Sequence, residues 1–284
     1  MERRLRVTAV FLFALLVVVA VVALGYVRGW YIKKYEPQEL ASFLAPFFQV
    51  NRPKGNGPFP TVVAFHGCGG VDLGTLDWMS YLNSHGYVTV IVDSSKPRGL
   101  SRDQVCSGRR FWGSERAGDV LVASIEISKL PFVDENRLVL IGWSHGAWAI
   151  MDLLAMNPPI ELPTNLHDSV AHVPIGVKGI VLLYPFCGFP AKAREGQFET
   201  DIPVLMLLAE KDPMATECLK FASIPGKRGD SVITHIYPEA NHAFDMREAD
   251  LAGTGVRPHR KSMVDARRRV VKFLANVLEL QKTN

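Results

Sequence analysis

The 284-residue chain has no Cys-x-x-Cys pair, no His-Glu-x-x-His and no phosphate loop. It also has no Gly-x-Gly-x-x-Gly after an apolar run. These absences exclude a zinc ribbon, a zinc-protease helix, a dinucleotide-binding turn and a nucleotide triphosphate cradle. No metal and no organic cofactor is therefore expected. Charge is also sparse: 21% of residues are charged, with a formal net charge of +4. Much of that excess sits at the two ends, so it is no nucleic-acid footprint. No internal repeat and no second domain can be discerned. What is abundant is apolar: 48% of residues are hydrophobic, as in a globular chain long enough for one large α/β domain.

The apolar excess begins at once. Glu2, Arg3, Arg4 and Arg6 precede an uncharged run from Val7 to Val27. As a helix at about 1.5 Å per residue it is roughly 31 Å long, enough to cross a bilayer core. It is long for the core of a secretory signal, although Ala23-Leu24-Gly25 offers a cleavage site. The expectation is a membrane helix within residues 1–28, inserted through 7–27, then a linker over 29–51 and a catalytic domain over 52–284. Cleavage after Gly25, giving a secreted protein, is the alternative. Arg3, Arg4 and Arg6 face Arg28, Lys33 and Lys34 across the run, so charge alone leaves the orientation nearly tied.

The four cysteines bear on that tie. Cys68, Cys106, Cys187 and Cys218 are widely spaced, and an even number beyond a membrane segment suits an oxidising compartment. Each falls after a predicted strand. Cys187 and Cys218 follow adjacent strands, and Cys68 and Cys106 follow neighbouring ones, which favours the pairs 187–218 and 68–106. The catalytic domain is then expected in a periplasmic or extracellular space.

Short β-branched runs at Thr61–Phe65, Tyr87–Val92, Arg137–Ile141, Gly179–Tyr184, Pro203–Ala209 and Ser231–Tyr237 read as strands. Helical patterns at Trp78–Ser84, Glu115–Leu130, Gly146–Met156 and Ser262–Leu280 alternate with them. Asn51–Pro60 is turn-rich, and Asn157–Val177 reads as loop. Strands alternating with helices predict an α/β fold with a mostly parallel central sheet flanked by helices.

One motif stands out from this pattern. The run ending at Ile141 stops at Gly142, Ser144 follows, and Gly146 opens a helix. Gly-x-Ser-x-Gly on a strand-to-helix turn lifts a serine hydroxyl clear of the backbone. Such a serine beside a base can act as an acyl-transfer nucleophile. In an open α/β sheet, functional groups gather beyond the carboxyl ends of strands. His66-Gly-Cys-Gly-Gly70 follows the first such strand, and its free N–H groups suit an oxyanion. The donors would be the N–H of Cys68, or of a neighbour, and that of His145. His66, Gly67, Arg98 and Trp143 are further substrate-contact candidates. Among eight histidines, His242 lies just past the last strand and fits the base. Asp212, after the strand ending at Ala209, fits the acid, with Glu210 in reserve.

The order Ser144, Asp212, His242 is that of α/β hydrolases. Gly-Pro-Phe-Pro, His-Gly-Cys-Gly-Gly, Gly-Trp-Ser-His-Gly, Ala-Glu-Lys-Asp and Asn-His-Ala-Phe-Asp together resemble the dienelactone hydrolase family, from about Arg52 onward. The resemblance implies the α/β-hydrolase fold and hydrolysis by a triad at those positions. It departs in having Ser144 where dienelactone hydrolases proper carry cysteine. It also leaves the family's carboxylate-binding arginines unplaced, with Arg98 and Arg247 as nearest candidates. A small ester or lactone is thus expected as substrate, in a fairly open pocket lined by Phe186, Phe189 and Trp112. Other readings are an amide or peptide hydrolase, a degenerate fold that only binds, and a thiol-redox protein. The basic cluster from Arg257 to Arg269 reads as a solvated helix face.

Overall fold

The computed structural model describes residues 2–27, 32–157, 161–167, 176–194, 200–222, 231–248, 253–254 and 256–279. Parts of the expected loop 157–177, including His172, lie outside these, as do Arg28 and Leu280.

The first helix, α1 (Glu2–Val27), contains a span from Arg6 to Gly25 with mean hydropathy 3.2, long and apolar enough to cross a membrane. After it the chain forms α2 (Pro37–Leu44), β1 (Phe48–Asn51), β2 (Phe59–Phe65), α3 (Leu73–Ser84), β3 (Val88–Val92), α4 (Arg102–Cys106) and α5 (Gly113–Ser128). Then come β4 (Val133–Trp143), α6 (His145–Met156), β5 (Val177–Leu183), β6 (Val204–Ala209), α7 (Thr216–Ala222), β7 (Val232–Tyr237) and α8 (Arg260–Glu279). The strands form one seven-stranded sheet in the order β1-β3-β2-β4-β5-β6-β7, and only β1 runs antiparallel.

The central strands are apolar on both faces because helices cover both. In β4, Leu138 and Leu140 face one layer with Leu40, Leu121 and Ile150. Val139 and Ile141 face the other, with Trp78, Val270 and Leu274. That arrangement is the α/β-hydrolase fold expected from the sequence.

Within the expected linker, residues 37–51 pack into the body. Leu40 and Leu44 on α2 are fully buried, and α2 packs on α5. Phe48–Asn51 pairs with β3 as an antiparallel edge strand. Four residues with mixed burial carry too little alternation to be read as a strand; the partner strand supplies the order. Both disulfides join the expected pairs, Cys68–Cys106 and Cys187–Cys218. Cys106 and Cys218, however, sit on the short helices α4 and α7 rather than on loops.

Candidate active site

Ser144 stands between β4 and α6 with φ 50° and ψ −109°, a conformation that costs about 1–3 kcal/mol for a residue with a side chain. The neighbouring glycines make it possible. A Cβ on Gly142 would lie 2.5 Å from the backbone N of Ala147, and one on Gly146 would lie 2.0 Å from the carbonyl of Phe65. The Ser144 N–H is held by the Leu183 carbonyl at 2.9 Å, so the turn is fastened to β5.

His242, in the loop after β7, reaches Ser144: its Nε2 is 2.9 Å from the serine Oγ. Its Nδ1 is 2.6 Å from Asp212 Oδ2. A carboxylate oxygen only accepts, so Nδ1–H donates to Asp212 and Nε2 is left to accept from the serine hydroxyl. Asp212 is buried, and its other oxygen accepts from the Met214 N–H at 2.9 Å. The reserve acid, Glu210, is exposed.

On the opposite side lies the loop His66–Gly70. A Cβ on Gly67 would be 3.8 Å from Ser144 Cβ, so the loop abuts the serine. Among the described residues, the N–H groups of Cys68 and His145 have no hydrogen-bond partner. Cys68 is also bonded to Cys106, which ties the loop to α4.

Other candidates have different employment. His66 is fully buried, with Nδ1 2.6 Å from the Gly67 carbonyl; burial, then Arg116, lowers its pKa. It shapes the loop and presents nothing to a substrate. Trp143 is fully buried and donates its indole N–H to Asp245 at 3.2 Å, so it belongs to the core. Arg98 grips Asp119 with two bonds of 2.9 and 2.8 Å and donates to the Ser94 carbonyl. Arg247 pairs with Asp77. Of the three expected pocket aromatics, Trp112 meets Phe189 edge-on at 6.5 Å, whereas Phe186 packs on Trp148 at 5.0 Å. Trp112 also walls a cavity of about 580 Å³ together with Tyr35, Phe43, Arg98, Phe111 and Glu115. In that wall, burial raises the Glu115 carboxyl to about 7.

Three residues close to the site carried no role in the sequence reading. Tyr184 lies edge-on to the His242 ring at 4.9 Å and donates its hydroxyl to Asp245 at 2.6 Å. Asp245 is buried, and burial raises its pKa against the pull of its donors. Arg116, on α5, is fully buried beside His66 and His145. Arg116 had a signal: it occupies the apolar stripe of α5 with Val120, Ala123 and Ile127.

The dienelactone hydrolase family model matches residues 49–278. Among solved structures, a putative dienelactone hydrolase from Klebsiella pneumoniae superposes with a TM-score of 0.61 at 19% identity. The match covers 80% of this chain and 92% of that one. Esterase 2 from Thermogutta terrifontis, solved phosphorylated by paraoxon, gives 0.61 at 16% identity over 81% of this chain and 88% of that one. These likenesses show the fold. Curated relatives are larger. The acylamino-acid-releasing enzyme of Arabidopsis thaliana is 22% identical over 61% of this chain and 26% of its own length. A probable dipeptidyl-aminopeptidase B of Aspergillus oryzae is 32% identical over 29% of this chain and 9% of its own. The chain thus spans about a quarter or less of the length of these relatives.

Proposed function

Since this chain belongs to the dienelactone hydrolase family, we propose that it is a serine hydrolase that cleaves small carboxylic esters or lactones through an acyl-enzyme. The hydrogen-bonded chain from Ser144 through His242 to Asp212 carries the reading. His242 removes the hydroxyl proton as Ser144 attacks the carbonyl carbon. Asp212 holds the imidazole in the tautomer that leaves Nε2 free and stabilises the cation that forms. The N–H groups of Cys68 and His145 receive the oxyanion. His242 then gives its proton to the leaving alcohol. Water, activated by the same nitrogen, attacks the acyl-enzyme and releases the acid.

With the Val7–Val27 run inserted as a membrane anchor, the two disulfides favour a body outside the cytoplasm, where such bonds persist. No apolar helix appears between Pro185 and Arg194 to cap the site. Short acyl chains of about two to six carbons should therefore give the highest kcat/KM, each buried methylene adding roughly 0.8 kcal/mol only while the chain still fits. A fluorophosphonate probe should label Ser144, and nitrophenyl esters from acetate to palmitate should show this maximum. An unreactive Ser144 would leave a fold that binds without cleaving.

A second reading has its own support. The matches to an acylamino-acid-releasing enzyme and to dipeptidyl-aminopeptidases favour amide or peptide cleavage by the same residues. Comparison of kcat/KM for acyl-amino-acid nitroanilides and nitrophenyl esters decides between them.

A further inference from the structure

The start of α5 carries a charge where its periodicity calls for an apolar group. Arg116 is 0% exposed. Its Nη1 donates to the His66 carbonyl at 2.7 Å and to Nδ1 of His145 at 3.2 Å. Among the described residues its Nε and Nη2 have no hydrogen-bond partner. Among the described residues no carboxylate comes within 4.0 Å of it. The nearest acids are engaged elsewhere. Asp119 holds Arg98 and Asn165, and Asp93 accepts from the N–H groups of Ser95 and Lys96. Burial lowers the guanidinium to about 10, which still leaves it charged at neutral pH.

A buried cation without a contact counter-ion is expensive, of the order of several kcal/mol. Packing alone would be served better by methionine or leucine. The two bonds that Arg116 does make show where the return lies. The His66 carbonyl heads the loop that presents the Cys68 N–H. His145 presents the other N–H, and its ring is fixed from both ends. The Phe111 carbonyl, 2.7 Å from Nε2, can only accept, so Nε2 carries the proton and Nδ1 accepts from Arg116. The ring is neutral: burial first, then Arg116, holds its pKa well below the usual value.

We propose that Arg116 is the positioning residue of the oxyanion hole, pinning both donor segments with one guanidinium nitrogen. Among the described residues no carboxylate touches it in the resting protein, Asp119 and Asp93 acting on it only from farther off, so its charge is placed to meet the negative charge that develops on the substrate oxygen. This rests on Ser144 being the nucleophile. The effect belongs to the transition state, because the ground-state ester carries no charge for Arg116 to meet.

The test compares wild type with Arg116→Met, which keeps volume, and Arg116→Lys, which keeps charge. Active sites are counted by fluorophosphonate labelling run to completion, so unfolded molecules drop out. Loss of an oxyanion donor typically costs 10²–10³ in kcat. Arg116→Met should lower kcat about 10²-fold with KM within about threefold, and Arg116→Lys should recover part of the loss. Alkyl boronic acids, which add Ser144 to form an anionic tetrahedral adduct, should lose affinity in proportion to kcat/KM. The uncharged product alcohol should bind all three proteins alike. A Met variant with kcat within about threefold of wild type, or one that loses boronate and alcohol affinity equally, overturns the proposal. Failure of wild type to label at Ser144 overturns it together with the serine-hydrolase reading, whereas normal labelling with an unimpaired Met variant removes the role of Arg116 alone.

Discussion

Behind each half of the site lies a fully enclosed ionisable side chain, and the two are treated in opposite ways. Behind His242, Asp245 accepts from the Tyr184 hydroxyl at 2.6 Å and from the indoles of Trp78 and Trp143 at 2.7 and 3.2 Å. Behind the His66–Gly70 loop, Arg116 bonds through one nitrogen, and its other two have no partner among the described residues. Asp245 knits α3, β4 and the start of the 184–202 segment into one body, so its satisfied bonds serve the architecture. Arg116 is under-satisfied among the described residues, which fits a charge kept for the site rather than for packing.

The comparison can be broken most violently at the serine between the two halves. Ser144→Ala should lower kcat for ester hydrolysis at least about 10³-fold with an unchanged melting temperature, and His242→Ala should match it, since such residues act as a unit. Most activity surviving in Ser144→Ala would dissolve the site. Next come the two enclosed charges, whose variants should separate on a plot of activity against stability. Arg116→Met should lose about 10²-fold in kcat yet melt no lower than wild type, because replacing a buried charge by an apolar side chain is often neutral or stabilising. Asp245→Ala should lose about 3–5 kcal/mol in urea unfolding by stranding three buried donors, while kcat per folded molecule falls less than tenfold.

The two disulfides should divide in the same way, with a smaller effect. Cys68→Ser with Cys106→Ser frees the loop whose Cys68 N–H is proposed as an oxyanion donor, so kcat should fall about tenfold through lost preorganisation. Cys187→Ser with Cys218→Ser opens a separation of 31 residues and should cost about 2–4 kcal/mol of stability. Its kcat should hold. The reverse outcome, activity lost at the second pair alone, would contradict the assigned loop.

The smallest effect is electrostatic. Asp152 and Glu115 are both raised to about 7, chiefly by burial. The folded state then binds protons that the unfolded state has released between about pH 4.5 and 7, so their contribution to stability is full below the unfolded carboxyl range and is lost as pH rises to about 7. Glu115→Gln should flatten the decline in unfolding free energy between pH 5 and 8. An unchanged slope would show that this wall of the cavity is wetter than its burial implies.

Much of this was legible in the sequence. β2 to β6 announced themselves because buried parallel strands are apolar on both faces, and the edge strand β7 through its β-branched run. Gly142, Ser144 and Gly146 were legible because only glycine fits where backbone atoms approach so closely. His242 and Asp212 were chosen through chain order, and they lie hydrogen-bonded in line with Ser144; the disulfide pairs followed from the adjacency of strands. What stayed hidden is tertiary in origin. β1 is ordered by β3, and α2 by α5. Arg98 and Trp143 are residue types that suit a ligand, but their partners, Asp119 and Asp245, are distant in sequence. Arg116 was masked by the prior that an arginine on a helix faces water.

The short stretch between α1 and the body has a kinetic corollary. An extended chain advances at most about 3.6 Å per residue, so Val27 and Tyr35 can be no more than roughly 29 Å apart. Tyr35 is buried and hydrogen-bonded to Asn165, which makes it part of the body. Anchored as proposed, the catalyst works within a thin layer over the bilayer, and its encounters are counted per unit of membrane area. Esters that partition into lipid reach it by lateral diffusion at an effective concentration set by the tether. Water-soluble esters gain nothing. The anchor thereby sorts substrates by where they dissolve, a selectivity that no side chain in the pocket has to supply.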